Sequence, residues 1–115
     1  RVGAGNSANG NPPADGVYFE KLAADTNWFR VTRASSVETR QDTTVAVGTG
    51  FVRFRIRRVD ASTIGFTIDG NAEANITTNI PTAALQQFTE VRNAAAAAKT
   101  LDHDYFDLLI TGLAR

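Results

Sequence analysis

Residues 63–76 read "TIGFTIDGNAEANI". Ile64, Phe66 and Ile68 alternate with Thr63, Gly65 and Thr67. A period of two places successive side chains on opposite faces of a strand. Asp69-Gly70 follows as a hairpin turn, because glycine accepts positive φ at little steric cost. Ala72, Ala74 and Ile76 then share one face of the returning strand. Pro81 has no N–H to give a ladder, so pairing is expected to stop there. This strand–turn–strand unit argues for an all-β fold.

The neighbouring stretches carry the same period. In "FVRFRIRRV" (51–59), Val52, Phe54 and Ile56 share one face and Arg53, Arg55 and Arg57 the other. Arg58 followed by Val59 breaks the phase and predicts a bulge or a strand end. Further strands are expected over 17–21, 28–33 and 37–47. In the second of these, Trp28, Arg30 and Thr32 face one way, Phe29 and Val31 the other. Many short strands separated by turn signals predict a β-sandwich or barrel.

Two segments read less simply. Residues 82–99, "TAALQQFTEVRNAAAAAK", favour helix by alanine content. Leu85, Phe88 and Val91 give that helix only a thin apolar stripe. Residues 1–15 are rich in Gly, Asn, Ala and Pro, which predicts an extended arm ahead of a domain over 16–115. "GAGNSANG" lacks both a preceding strand and a following Gly-Lys-Ser/Thr, so it does not read as a phosphate loop. The final stretch, "LDHDYFDLLITGL" (101–113), alternates Phe106, Leu108 and Ile110 with Tyr105, Asp107 and Leu109 and reads as a strand.

The chain has 115 residues, which suits one domain. Twelve Lys+Arg balance twelve Asp+Glu, whereas a nucleic-acid binder relies on a basic excess to neutralise phosphates. No apolar run approaches the roughly 20 residues of a membrane-spanning helix. No nucleic-acid or membrane partner is therefore expected. Without cysteine there is no disulfide, thiolate metal site or thiol nucleophile. Methionine is absent too, even at position 1, so a piece of a longer or processed product is expected.

Little points to catalysis. His103 is the only histidine and sits between two aspartates, with no serine marked as activated. Glu38 and Asp42 in "VETRQD" are the nearest approach to a glycosidase carboxylate pair. Asp102, Asp104 and Asp107 offer oxygens to Ca²⁺, but in no EF-hand spacing. "NIT" at 75–77 matches a glycosylation sequon by chance. No catalytic residue, metal site or cofactor is expected. The candidate ligand-binding residues are Trp28, Arg30, Arg53, Arg55 and Arg57, since guanidinium forks grip carboxylate or phosphate and an aromatic ring stacks on a sugar. The competing reading pairs these arginines across strands with Glu20, Glu38, Glu90 or Asp107. Ten Arg against two Lys favours ordered, paired or interfacial guanidinium groups.

Four segments together carry a resemblance: "GVYFE", "DTNWFRVTR", the run from "FVRFRIRRV" through "TNIPTAAL", and "NAAAAAKTLDHDYFDLLITGLAR". Residues 16–115 resemble the C-terminal part of concanavalin A-like, laminin-G-like jelly-roll domains of the kind found in bacteriophage tail and virion proteins. The resemblance implies an antiparallel jelly-roll β-sandwich, with residues 88–92 a strand and 94–98 a loop. Domains of that family are longer and have more strands, so contact between subunits is expected to cover the sheet edges. The function implied is a non-enzymatic structural or assembly module of a virion or tail. It would pack on itself or on other virion proteins through its sheet edges and arm. The alternative is a carbohydrate-binding module that uses the Trp28/Arg face on a glycan. The expected location is the virion, or otherwise extracellular.

Overall fold

The computed structural model describes residues 1–7, 9 and 11–92. They build two antiparallel sheets. The first has strand order β4-β3-β2-β1-β8, from β1 (Val2–Gly5), β2 (Gly16–Glu20), β3 (Asn27–Ala34), β4 (Val37–Ala46) and β8 (Gln86–Thr89). The second has order β5-β6-β7, from β5 (Phe54–Asp60), β6 (Thr63–Ile68) and β7 (Ala74–Ile76). The all-β expectation is met. The loop expected over 94–98 and the strand expected over 101–113, with His103 and its flanking aspartates, lie outside the described residues.

The period-two pattern explains how the layers meet. Phe54, Ile56, Ile64, Phe66, Ile68 and Ile76 point from the small sheet toward Val17 and Phe19 of the large one. Phe19 lies at the centre, 4.7 Å from the Phe54 ring and 5.3 Å from Phe66, edge-on to the latter. Fully burying each such side chain contributes roughly 1.5–3 kcal/mol. The phase break read at Arg58 and Val59 is a register shift between Arg58 and Asp60 against β6. The β3–β4 hairpin closes through Ser35 and Ser36, both at positive φ (49° and 70°), the geometry of a two-residue turn matched to strand twist. The Asp15 side chain accepts from Ser35 N–H and the Ala14 carbonyl accepts from Ser36 N–H, which anchors that turn.

The N-terminal arm is a correction. Residues 2–5 form β1, inserted between β2 and β8, and just beyond it Asn6 N–H donates to the Asp15 carbonyl. The small residues that read as a linker are the ones this slot admits. Gly3 faces Tyr18 on one side and Phe88 on the other, and those rings meet edge-on at 5.8 Å. A Cβ on Gly3 would lie 2.3 Å from the Val17 carbonyl oxygen and 2.6 Å from Tyr18 Cα, which backbone cannot yield. With Val31, the two rings form a second buried cluster on the face of the large sheet turned away from the small one. The strand expected over 88–92 lies slightly earlier. β8 ends with Thr89 opposite Val2, and Glu90 N–H donates to the Arg1 carbonyl just beyond.

Candidate functional site

The outward face of the small sheet carries the arginine stripe. Val52, Phe54 and Ile56 pack on the core, while Arg53, Arg55 and Arg57 are exposed on the opposite side. Arg57 grips Glu73 with two bonds, Nε to Oε2 at 3.0 Å and NH2 to Oε1 at 2.5 Å. Glu73 reaches it by lying across Gly65, where an added Cβ would meet its carboxylate carbon at 2.5 Å. The hydrogen bond from Arg57 holds the Glu73 carboxyl below its usual range, and the charges of Arg57 and Arg55 add to this. Arg58 donates to the Asp60 and Ala61 carbonyls. The Arg53 and Arg55 side chains have no hydrogen-bonding or ion-pair partner among the described residues. Phe51, 77% exposed, precedes them in the same phase.

Of the acids expected to neutralise this stripe, Glu20, Glu38 and Glu90 are engaged elsewhere, and Asp107 lies outside the described residues. Glu20, its side chain only 4% exposed, accepts from Arg1 Nε at 2.7 Å and Arg40 Nε at 3.0 Å. Arg1 also holds Glu90 at 2.7 Å, Arg40 also holds Asp25, and Arg40 stacks 3.5 Å above the Phe29 ring. Glu38 pairs with Arg33 at 3.0 Å. This network occupies the outward face of the large sheet. Glu38 and Asp42 do share a face of β4, opposite Arg33 and Phe29. Four residues of strand separate them by about 13 Å, beyond the roughly 5–9.5 Å of glycosidase pairs.

Trp28 and Arg30 do not join Arg53, Arg55 and Arg57. Both lie on the inward face of the large sheet, with Arg30 opposite Phe19 on β2 and Gln41 on β4. Trp28 packs edge-on against Phe54 at 4.8 Å, on the side of β5 away from the arginines. Its Nε1 is buried without a hydrogen-bond partner among the described residues. A ring held this way is part of the core rather than a stacking platform. The exposed aromatic beside the stripe is Phe51. Its phase within "FVRFRIRRV" was the available signal.

Arg30 instead borders a cleft between the sheets of about 360 Å³, with Phe19, Phe66 and Ile68 among its lining residues. Gln41 Oε1 accepts from Arg30 Nε at 3.0 Å. Beside it β4 bulges against β3, with the register shifting between Asn27 and Phe29, and Thr44 adopts φ 61°. Positive φ is strained for a β-branched residue. Side chains secure the bulge: Asp42 accepts from Thr44 N–H, and Thr43 Oγ1 donates to the Trp28 carbonyl at 2.7 Å. The bond from Thr44, then that from Asn27, holds the Asp42 carboxyl below its usual range.

Comparison with known proteins gives one family. The model of the SO2946-like C-terminal domain matches residues 1–104. No curated protein and no solved structure matches the chain. The match begins at residue 1 and so takes in β1. The chain belongs to the SO2946-like C-terminal domain family.

Proposed function

We propose that this domain is a non-enzymatic assembly module of a phage-like virion or tail, packing through its sheet edges on copies of itself or on other virion proteins. The observation that carries this reading is the pair Arg53 and Arg55. Arg55 on β5, an edge strand of the small sheet, and Arg53 just before it make no ion pair or side-chain hydrogen bond among the described residues, and Arg55 feels only the charge of Glu73 nearby. By contrast, the guanidinium groups of Arg1, Arg30, Arg33, Arg40, Arg57 and Arg58 are held by carboxylates, a side-chain amide or carbonyls. An edge strand offers unpaired backbone groups to a neighbour, and unpaired charge gives that contact direction. The ten-residue β4 edge of the large sheet offers a second such margin. The virion setting and the jelly-roll relationship rest on the resemblance of 16–115. The return of β8 beside β1 in an antiparallel sheet supports the jelly-roll form. The arm expected to join in assembly is replaced in this reading by the edges, since residues 2–5 are already paired.

The test is light scattering of the purified chain at low and high salt. A defined oligomer is expected at low salt, reduced to monomer by Arg53→Ser/Arg55→Ser with unfolding midpoint unchanged. A monomer at every concentration and salt level would remove the reading. Phe51 beside the same arginines favours a second reading, attachment to an acidic glycan. That reading expects polygalacturonate to bind, Arg53→Ser/Arg55→Ser to abolish binding, and Trp28→Phe to leave it intact.

A further inference from the structure

We infer that the cleft between the two sheets is a binding site for a small hydroxylated carboxylate of the open-chain sugar-acid class. Its volume of about 360 Å³ lies within the roughly 300–1,000 Å³ of small-molecule sites. Phe19, Phe66 and Ile68 close it from behind but are packed in the core. The polar groups within a ligand's reach are Arg30 and Thr43, both half-buried, and Thr44 and Asn71, both exposed. Hydrogen bonding therefore decides what fits. The small sheet keeps the mouth open: β7 is three residues long, and Ala72 and Ala74 line the cleft where larger side chains would fill it.

Register supplies the charge. Arg30 occupies the inward row Phe19–Arg30–Gln41, on a face that otherwise packs against the other sheet. Gln41 fixes it through Nε alone, so among the described residues its two terminal nitrogens remain for a carboxylate, which guanidinium binds in two-pronged fashion. Asp42, the acid whose carboxyl feels Arg30, projects from the opposite face of β4 and is tied to Asn27 and Thr44. Arg30 is the one charged residue lining the cleft among the described residues, so a monoanion matches it and leaves no unpaired charge behind. The rim supplies neutral partners for hydroxyl groups. The Asn71 side chain has no hydrogen-bond partner among the described residues and carries both donors and an acceptor. Thr44 Oγ1 donates to the Thr43 carbonyl, which leaves its lone pairs free to accept. The bulge and the strained Thr44 stand at this rim, where the backbone departs from regular pairing. The site is independent of the assembly reading, because Arg53, Arg55 and the β5 edge play no part in it.

The probe is gluconate, with glucitol as its neutral match and propionate as a carboxylate without hydroxyls, followed by amide chemical shifts and calorimetry at low salt. Gluconate is expected to shift residues 43–45 and 71–74, with Kd near about 1 mM. Glucitol and propionate are each expected to bind about tenfold more weakly or worse. Arg30→Gln is expected to bring gluconate down to the level of glucitol. Asn71→Asp, at an exposed rim position where folding is not at stake, is expected to weaken gluconate by repulsion and leave glucitol unchanged. Arg55→Gln is expected to change neither. Equal binding of gluconate and glucitol would overturn the role of Arg30, and propionate matching gluconate would overturn the sugar-acid class. No response to gluconate, shifts centred on β5, or full gluconate binding in Asn71→Asp would each overturn the site.

Discussion

The outward faces of the two sheets both carry arginines, and the two sets have opposite fates. On the large sheet, Arg1, Arg33 and Arg40 each meet a carboxylate. On the small sheet, Arg53 and Arg55 meet none among the described residues. Overall charge does not separate them, since acids and bases are equal in number. Register does. β2 ends in Glu20, beside Arg1 and within reach of Arg40. Opposite Arg55 stands Thr67, and opposite Arg57 stands Gly65, so only a carboxylate reaching over that glycine pairs with the stripe. Asp69, beside Arg53, gives its carboxylate to that residue's backbone N–H. An arginine in a strand is thus structural or available according to what the neighbouring strand places opposite it.

The contrast breaks most visibly at Glu20. Glu20→Gln removes the carboxylate shared by Arg1 and Arg40, which keep a second acid in Glu90 and Asp25 respectively. Losing these charge-assisted bonds costs about 1.5–3 kcal/mol. Urea unfolding should show that loss in the midpoint. A drop below about 1 kcal/mol would mean that the network is solvated like a surface pair. Next comes a pair of glycines, one under each face. Gly3→Ala drives a methyl into the Val17 and Tyr18 backbone and is expected to cost roughly 1–3 kcal/mol. Gly65→Ala meets only the end of the Glu73 side chain, which swings aside. Its net effect is expected within about 0.5 kcal/mol, because alanine also restricts the unfolded chain. Equal losses at the two glycines would erase the distinction between a packed and an open face.

These positions show what the sequence disclosed. The alternation in 51–57 and 63–68 assigned faces correctly, because burial on one side of a strand leaves a period of two. The same signal placed Trp28 and Arg30 together on one face. What alternation omits is which face meets which, so Trp28 seemed able to join the Arg53 stripe until the stacking of the sheets set Phe54 between them. Residues 2–5 were misread for a different reason. "VGAG" has a linker's composition, and only the approach of Tyr18 and Phe88 across Gly3 shows why a strand needs those residues there. That Glu20, Glu38 and Glu90 pair with arginines is legible, but which arginine each takes is not, since Glu20 and Arg1 are neighbours through pairing rather than sequence.

The smallest expected effect concerns Glu73, and pH isolates it. Its folded carboxyl titrates below the ordinary value of 4.5, chiefly through the bond from Arg57. The folded state therefore holds the proton less tightly than the unfolded chain. The stabilisation is present above the unfolded value and disappears as pH falls through the folded one. Glu73→Gln abolishes that dependence while keeping the side chain's size. The midpoint difference between the parent and Glu73→Gln should be constant near neutrality and shrink below about pH 4.5. It should also shrink in high salt, because both partners are open to solvent and screening reaches them. No midpoint difference at any pH would show that Glu73 acts through its packing over Gly65, which glutamine keeps, rather than through its charge. Arg57 would then join Arg53 and Arg55 as a group free to bind a partner.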